Sequence, residues 1–289
     1  MKKSKGTVPR AIIIAGGAGG RLKPITHGKV NKANVEVGGK PLLAHQLSAL
    51  KQLGVREVLL VLRPSDLAEF KRMIASGAYP KLKYSFAKTP FTKTGYRTSF
   101  MLSKVFRGLN FVAFAKKQPV AVTFGDCFYF PRFLKRALAD FASKKRPLFL
   151  TQPEKVTTES SKTFHERVLE SSAFPQKGFS PAIMGFIATP AFLELVCENI
   201  SPKRRFVALA RLAHSQGMKT GLMQGQVLGL NSAADYLALR EVIAGRISFP
   251  FPEKWVRGIR PELERLTGRR EDRVSHKKRV RVNSRHKRK

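Results

Sequence analysis

The feature that most constrains this chain is a short apolar run that opens directly into a glycine-rich turn. The run, Ala11–Ile14, consists of four aliphatic residues, which is typical of a buried strand. The turn that follows, residues 15–21, reads AGGAGGR and places four glycines within five positions. Without Cβ atoms the backbone can approach a ligand closely, and consecutive amides can form an anion-binding nest. Arg21 adds a planar guanidinium suited to phosphate oxygens. The glycines alone also fit an ordinary hairpin without a ligand.

Two common phosphate-binding loops do not match this turn. A P-loop requires G-x-x-x-x-G-K-[ST], and the chain contains no Gly-Lys followed by Ser or Thr. A dinucleotide-binding fingerprint requires G-x-G-x-x-G. Here Gly17 and Gly19 supply the first half, but Leu22 stands at the position of the third glycine. The turn therefore matches neither of these two loops.

Further matches follow the turn in order and at close spacing. They are RLxPxT starting at Arg21, KA starting at Lys32 and VGGKPL starting at Val37. Together with the glycine-rich turn they closely resemble the signature of the sugar-phosphate nucleotidylyltransferases. That family reads roughly L-A-x-G-x-G-[TS]-R-[LM]-x-P-[LI]-T, then P-K, then G-[GK]-K-P. This chain departs from it at Gly20, where Thr or Ser is usual, and at Asn31, where Pro usually precedes the Lys.

The order of the apolar segments predicts an α/β fold. A helix is expected from Pro41 to Gly54, and the run Glu57–Leu62 predicts a buried strand. Asp66 with Glu69 predicts a capping box at the start of a second helix. This alternation predicts a mostly parallel, Rossmann-like central sheet with helices on both faces. The resemblance, over roughly residues 10–246, implies the nucleotide-diphospho-sugar transferase fold, which is GT-A-like.

Four regions are expected along the chain. Residues 1–10 read as a disordered basic lead-in, and residues 11–250 as the nucleotidyltransferase domain. Residues 251–266 read as a C-terminal segment that packs on the domain through Phe251, Trp255 and Ile259. Residues 267–289 are highly charged and low in apolar content, so we expect a disordered basic tail.

A metal site is predicted where the apolar run PVAVTF ends in Gly125 and Asp126. A carboxylate at the end of a central parallel strand lies where open α/β sheets bind ligands, and it suits Mg²⁺. The resemblance implies that Asp126 carries the metal. Gly229-Leu230-Asn231 is similar to the G-V-N of the N-acetylglucosamine-1-phosphate uridylyltransferases, which implies Asn231 as a second ligand. Either side chain could instead cap the segment that follows it.

The resemblance also implies which residues hold the two substrates. Catalytic roles fall to Arg21 and Lys32, which would hold the leaving phosphates and the α-phosphate. The nucleotide-binding positions are Ala15, Gly16, Gly17, Ala18, Gly19, Gly20, Thr94, Gly95, Ser99 and Gly125. The acceptor-binding positions are Lys177, for a phosphate, and Gly185, for a sugar ring. Each also has a plainer interpretation: a capped helix for 94–99, a surface lysine for 177 and a β-bulge for 185.

Charge and cysteine content bear on partners and location. The net charge of +36 favours anionic partners, although a solvated basic surface is the plainer explanation of it. The tail could contact RNA or an anionic surface electrostatically. Two cysteines, Cys127 and Cys197, form neither a disulfide framework nor a zinc spacing, so a reducing cytoplasm is expected. The amino-terminal residues do not form a signal peptide, and no run reaches the roughly 18 apolar residues of a membrane helix.

The expected reaction transfers a nucleoside monophosphate from a nucleoside triphosphate to a sugar 1-phosphate, releasing pyrophosphate and forming an NDP-sugar. Three alternatives stay open. The acceptor could be a different phosphate, such as phosphocholine or a molybdenum cofactor. The chain could be a catalytically silent relative with a regulatory or binding role. It could also bind nucleic acid and use the fold as a scaffold. The Q-x-x-P-x-G loop of many thymidylyl and uridylyl members is absent, so the base is not indicated.

Overall fold

The computed structural model describes most of the predicted domain. The described residues are 8–17, 22–89, 104–155, 179–201, 206–225, 227–230, 233–248 and 258–267. The strands in chain order are β1 (Arg10–Ile14), β2 (Glu36–Val37), β3 (Lys40–Pro41), β4 (Glu57–Leu62), β5 (Lys83–Lys88), β6 (Val120–Phe124), β7 (Cys127–Tyr129), β8 (Leu148–Lys155), β9 (Phe179–Ala188), β10 (Gly221–Gln224) and β11 (Val227–Gly229).

Helices connect these strands and cover the sheet. They are α1 (Lys23–Thr26), α2 (Leu42–Gln52), α3 (Leu67–Ala75), α4 (Phe111–Ala115), α5 (Pro131–Lys144), α6 (Pro190–Asn199), α7 (Phe206–Ser215), α8 (Ala233–Ile243) and α9 (Arg260–Thr267). Residues 104–108 are also helical. Two 3₁₀ turns, Lys32–Asn34 and Pro64–Asp66, lie close to the ends of strands.

A seven-stranded mixed sheet forms the centre, with the strand order β10-β8-β9-β6-β1-β4-β5. β1 pairs in parallel with both β4 and β6, β4 pairs in parallel with β5, and β8 with β10. β9 runs antiparallel between β6 and β8, so the other six strands all point the same way. The predicted α/β class, with a mostly parallel sheet, is confirmed.

Each face of the sheet is buried, because β1 carries apolar side chains on both sides. Ala11 and Ile13 pack into one core with α2, α3 and α5, and Ile12 packs into another with α4, α6 and α7. The second core is rich in phenylalanine; Phe149, Phe186 and Phe192 contact one another within it. Continuous apolar runs are what a sheet covered on both faces requires.

A smaller third core lies beside the carboxyl ends of the parallel strands. It joins Leu22 and Val35 to the two-stranded sheet of β7 and β11 and to α8. Ile259, from the predicted C-terminal packing segment, is buried in this core, whereas Phe251 and Trp255 lie outside the described residues. At the other end of the chain, β1 begins at Arg10 and Val8 is already buried, so ordered structure begins within the predicted lead-in.

The predicted capping box at α3 is wrong. Asp66 makes no side-chain hydrogen bond to the start of that helix. Its carboxylate instead accepts two hydrogen bonds from Arg63, both at 2.8 Å. A charge-assisted, two-pronged pair is stronger than one bond to a backbone amide, and it turns the carboxylate away from the helix.

Candidate active site

The glycine-rich turn and the Gly125-Asp126 pair leave the sheet side by side. Ile14 and Phe124 are register partners at the ends of β1 and β6. Just beyond them, the Gly125 N–H donates to the Ile14 carbonyl at 2.9 Å, and the Ala15 N–H donates to the Val61 carbonyl at 2.9 Å. The connection from β1 to β4 packs α2 on one face of the sheet, and the connection from β5 to β6 packs α4 on the other face. The space between the ends of β1 and β6 is therefore a topological switch point of the kind where α/β sheets bind ligands.

Gly125 is required by close packing at this switch. A Cβ placed on it would lie 2.7 Å from the Ala15 Cβ and 3.3 Å from the Ala33 Cβ. Any side chain would therefore push apart the start of the glycine-rich turn and the turn that carries Lys32. The glycine thus brings three predicted parts of the site together.

Lys32 and Asp126 meet in this position. The Lys32 Nζ lies 3.4 Å from Asp126 Oδ2. The lysine side chain is only 9% exposed, whereas the aspartate side chain is 32% exposed and faces the open end of the sheet. An ammonium is thus held in a semi-buried place beside a carboxylate that solvent, or a ligand, can reach.

Asn31 holds the Lys32 turn in place, and sequence reasoning missed this role. Its Nδ2 donates to the Ala15 carbonyl at 2.9 Å and to Asp66 Oδ2 at 2.5 Å. Its Oδ1 accepts from the Ala33 N–H at 2.9 Å, and the residue is only 3% exposed. One side chain therefore ties the glycine-rich turn, the Lys32 turn and the end of β4 together.

The same network explains why Asp66 is buried without cost to the fold. Arg63 faces it as a fork, Ser65 Oγ donates to its Oδ1 at 3.1 Å, and Asn31 donates to its Oδ2. A buried carboxylate is tolerated when its charge is paired and its oxygens accept hydrogen bonds. The signal in the sequence was the departure at Asn31, but its partners are distant in the chain.

Cys127 is a packing residue. It is buried, and burial together with the neighbouring Asp126 charge raises the pKa of its thiol well above the usual range. A neutral thiol is a poor nucleophile, which agrees with the sequence interpretation of this position. Burial also raises the pKa of Tyr129, whose hydroxyl accepts from the Phe124 N–H at 3.0 Å and donates to the Met184 carbonyl at 2.5 Å.

The segment before Asn231 is anchored directly to Asp126. β11 pairs with β7 so that Gly229 stands opposite Cys127. The Leu230 N–H then donates to the Asp126 carbonyl oxygen at 2.6 Å. Asn231 itself lies outside the described residues.

Gly185 also lies at a position where packing leaves no room for a side chain. A Cβ on it would lie 2.6 Å from the Val122 carbonyl oxygen on the neighbouring strand. The pairing of β8 with β9 also shifts here, since Leu150 stands opposite Gly185 and Thr151 opposite Ile183. A bulge and close backbone contact thus explain the glycine, and its contact with an acceptor stays a prediction.

Several predicted site residues lie outside the described part of the chain. They are Ala18, Gly19, Gly20, Arg21, Thr94, Gly95, Ser99, Lys177 and Asn231. Among those that the structure describes, Gly16 is buried, Gly17 is exposed, and both follow Ala15 at the end of β1.

The sequence model of the family described as nucleotidyl transferase matches residues 10–161, more than half of the chain. This chain belongs to the nucleotidyl transferase family. The matched range contains β1, the Lys32 turn and Gly125-Asp126, so the family assignment covers the geometry described above.

Individual relatives within the family are distant or partial matches. A glucose-1-phosphate thymidylyltransferase from Neisseria meningitidis is 35% identical over 134 residues, which are 45% of this chain and 43% of the relative. The chain thus spans less than half the length of the curated relatives that it matches.

Solved structures share the nucleotidyl transferase fold. A Bacillus anthracis structure assigned to glucose-1-phosphate thymidylyltransferase, in complex with sucrose, covers 83% of this chain and 96% of its own, with a TM-score of 0.59 and 16% identity. An inositol-1-phosphate CTP transferase from T. maritima covers 84% of this chain and 100% of its own, with a TM-score of 0.56 and 17% identity. Identities this low establish the fold alone.

No helix in the described segments has the length and apolar character needed to cross a membrane. No group of three or more His, Cys, Asp or Glu side chains lies close enough to hold a metal ion within the same segments.

The Asn31 network can be tested in this nucleotidyl transferase by restoring the proline that the family usually has. Asn31 has φ −64° and ψ 143°, values that proline adopts, so Asn31→Pro keeps the backbone conformation while it removes the side-chain bonds and the backbone N–H of residue 31. We expect the free energy of unfolding to fall by about 1–3 kcal/mol, because Asp66 loses a buried donor. We expect nucleotidyl transfer to lose about tenfold in kcat, with little change in KM, because the Lys32 turn loosens.

The matched control is Asn110→Ala. Asn110 also caps a helix, accepting from the Ala113 N–H at 2.9 Å, but it lies on α4, away from the ligand end of the sheet. We expect this variant to lose stability by about 0.5–2 kcal/mol and to keep its kcat. Equal kcat in Asn31→Pro and wild type would show that the network serves the fold alone.

Proposed function

We propose that this chain is a Mg²⁺-dependent nucleotidyltransferase of the EC 2.7.7 type. It transfers a nucleoside monophosphate from a nucleoside triphosphate to a sugar 1-phosphate, releases pyrophosphate and forms an NDP-sugar. The single observation that carries the proposal is the meeting of Lys32 with Asp126 at 3.4 Å, beside the start of the glycine-rich turn. Family membership supports the reaction class, and the names of the relatives support a phosphorylated sugar or polyol as acceptor.

In this proposal, the residues around the switch point contact different phosphates of the triphosphate. Backbone amides from Ala15 to Gly20, with Arg21, hold the β- and γ-phosphates, which leave as pyrophosphate. The Lys32 ammonium faces the α-phosphate and stabilises the charge that develops there during transfer. Because Lys32 is held by its buried turn before substrate arrives, little reorganisation is needed when the charge appears.

The donor set at Asp126 fits a magnesium ion. The carboxylate is partly exposed, it is hard, and it stands at the carboxyl end of β6. Asp126 would hold the ion, with Asn231 as the second protein ligand, since Leu230 is already bonded to the Asp126 carbonyl. When bound, Mg²⁺ supplies charge neutralisation on phosphate oxygens. One or two protein oxygens suffice for Mg²⁺, so a cluster of three acidic or imidazole groups is not needed.

The acceptor needs no general base. The phosphate of a sugar 1-phosphate is already ionised at neutral pH, so its oxygen can attack once it is aligned. Lys177 and Gly185 are the proposed acceptor contacts, for the phosphate and for the sugar ring. The buried, protonated Cys127 beside Asp126 takes no part in this chemistry.

A matrix of substrates tests the proposal. Purified protein with Mg²⁺ is incubated with each of UTP, dTTP, CTP, GTP and ATP against glucose 1-phosphate, N-acetylglucosamine 1-phosphate, inositol 1-phosphate and phosphocholine. Pyrophosphate release is measured, and the NDP product is identified by mass. We expect strong pyrophosphate release for one or two combinations of a nucleoside triphosphate with a sugar 1-phosphate.

Two outcomes would overturn the proposal in different ways. Turnover confined to phosphocholine would move the acceptor out of the sugar class while keeping the reaction type. Pyrophosphate release in no cell, with nucleotide still binding, would favour a silent regulatory relative. EDTA-treated protein and the Asp126→Asn variant serve as blanks for contaminating activity.

A further inference from the structure

The sheet presents a second, chemically distinct end, opposite the candidate active site. Six of its seven strands are parallel, so their amino ends lie together, just as their carboxyl ends do. Five segments lead the chain into these ends. They are residues 51–56 before β4, 76–82 before β5, 116–119 before β6, 144–147 before β8 and 215–220 before β10.

These five segments are basic and contain no acid. Together they carry nine Lys or Arg residues and not one Asp or Glu. Seven of these cations are exposed and form no ion pair with any residue in the described segments, and all of the seven except Lys51 lie outside the helices. We call the six outside the helices the basic rim: Arg56, Lys81, Lys116, Lys117, Lys145 and Lys219.

Two acids that are close to these segments in sequence are already paired with other cations. Glu57, the first residue of β4, pairs with Arg10 at 3.0 Å and with Lys83 at 3.2 Å, and this double pairing lowers its pKa. Asp140 pairs with Lys144 at 2.5 Å on the last turns of α5. Neither carboxylate forms an ion pair with a rim residue, so the rim has no paired carboxylate within the described segments.

Helix dipoles explain the positions of only some of the rim cations. Lys116 and Lys145 directly follow α4 and α5, where cations stabilise the exposed carbonyls of a helix C-terminus. That effect fades within the last turn. Arg56, Lys81 and Lys219 lie four to six residues beyond the ends of α2, α3 and α7, so it does not explain them.

We propose that the basic rim binds the phosphate backbone of a nucleic acid, independently of the basic tail. Seven strands at about 4.8 Å spacing make the rim roughly 29 Å wide, a length over which a nucleic acid presents many phosphates. The rim holds six point charges spread along this line, which suits backbone contacts that do not depend on sequence. The proposal does not rest on the transferase activity.

The rim offers little to other anionic partners. Its five segments contain no exposed aromatic or large aliphatic side chain, so they have nothing to stack on unpaired bases or to insert into a bilayer. The exposed large apolar residues in the described part of the chain are Val30 and Leu222, which lie outside these segments. A helical nucleic acid therefore fits the rim better than a membrane surface.

The test measures binding of the full chain to a fluorescent RNA duplex at a series of salt concentrations. The rim variant is Lys116→Gln, Lys117→Gln and Lys145→Gln in one chain. The slope of log K against log salt is negative, and each lost phosphate contact makes it shallower by about 0.9, so we expect the slope of the rim variant to be shallower by about 2 to 3. At about 0.1 M salt we expect the affinity to fall at least tenfold.

The matched control removes three exposed cations elsewhere: Arg132→Gln, Lys135→Gln and Arg136→Gln on α5. Its net charge equals that of the rim variant, and the tail is intact in both. We expect its slope to stay within about 0.5 of the wild-type slope. Equal slopes for the two variants would overturn the proposal, because binding would then follow net charge or the tail. Binding to phosphatidylserine vesicles but not to the duplex would overturn it as well.

Discussion

Replacing Asp126 with asparagine is expected to lower nucleotidyl transfer by about 10³-fold or more at saturating Mg²⁺. Asparagine keeps the size of the side chain and one carbonyl oxygen, but it removes the negative charge that would hold a divalent cation. The backbone contacts of residue 126, including the bond from Leu230 at 2.6 Å, are unaffected by this change. Steady-state pyrophosphate release, across a series of Mg²⁺ concentrations, measures the loss.

The control for Asp126 is Asp140→Asn. Asp140 is also paired with a lysine, at 2.5 Å, but it lies on α5 and is remote from the switch point. An exposed pair of this kind contributes at most about 1 kcal/mol, so this variant should retain full activity. If excess Mg²⁺ restored Asp126→Asn to wild-type kcat, the carboxylate would only concentrate the metal. If activity fell equally in both variants, the assignment of Asp126 would be wrong.

The second large effect is expected from Lys32→Met, which should cost about 10²–10³-fold in kcat. Methionine preserves most of the buried stem and deletes the ammonium that lies 3.4 Å from Asp126. The loss should appear in kcat rather than in KM, because the charge is needed when the α-phosphate passes through its transition state. Nucleotide affinity, measured separately by equilibrium binding, should change much less.

A double variant tests whether Lys32 and Asp126 act together in one step or contribute to activity independently. Lys32→Met combined with Asp126→Asn should lose little more activity than the worse single variant, because groups that act as one unit are not additive. Lys83→Met is the matched lysine control, since Lys83 pairs with Glu57 at 3.2 Å at the opposite end of the sheet. If the fold-loss of activity in the double variant equalled the product of the two single fold-losses, the two residues would not act as one unit.

The sequence predicts the strands at the centre of this fold well, for a simple reason. β4 lies at the predicted residues, 57–62, and β6 begins within one residue of its prediction. Both are continuous apolar runs between polar neighbours, as expected for strands buried on both faces. The antiparallel β9 is different, because direction is a property of the pairing and not of the strand's own residues.

The sequence likewise predicts only part of the candidate site. Lys32 and Asp126 were predicted from local motifs, and the structure brings them together. The Asn31 network was not predicted, because its partners Ala15 and Asp66 are 16 and 35 residues away and nothing in the local pattern identifies them. The capping box at Asp66 failed for the related reason that a nearby guanidinium competes for the same oxygens. The short strands β7 and β11 leave no periodicity to detect.

The pairing of β11 with β7 has a consequence for how the protein is made. A ribosome adding roughly 5–20 residues per second needs about 5–20 s to extend the nascent chain from Asp126 to Leu230. During that interval β1, β4 and β6 have been synthesised. The strand β11 and Leu230, which donates to the Asp126 carbonyl, have not. The surroundings of Asp126, the proposed magnesium ligand, are thus among the last parts of the domain to be completed. Translation that stalls before residue 227 would release a nascent chain with the glycine-rich turn but without its finished metal site.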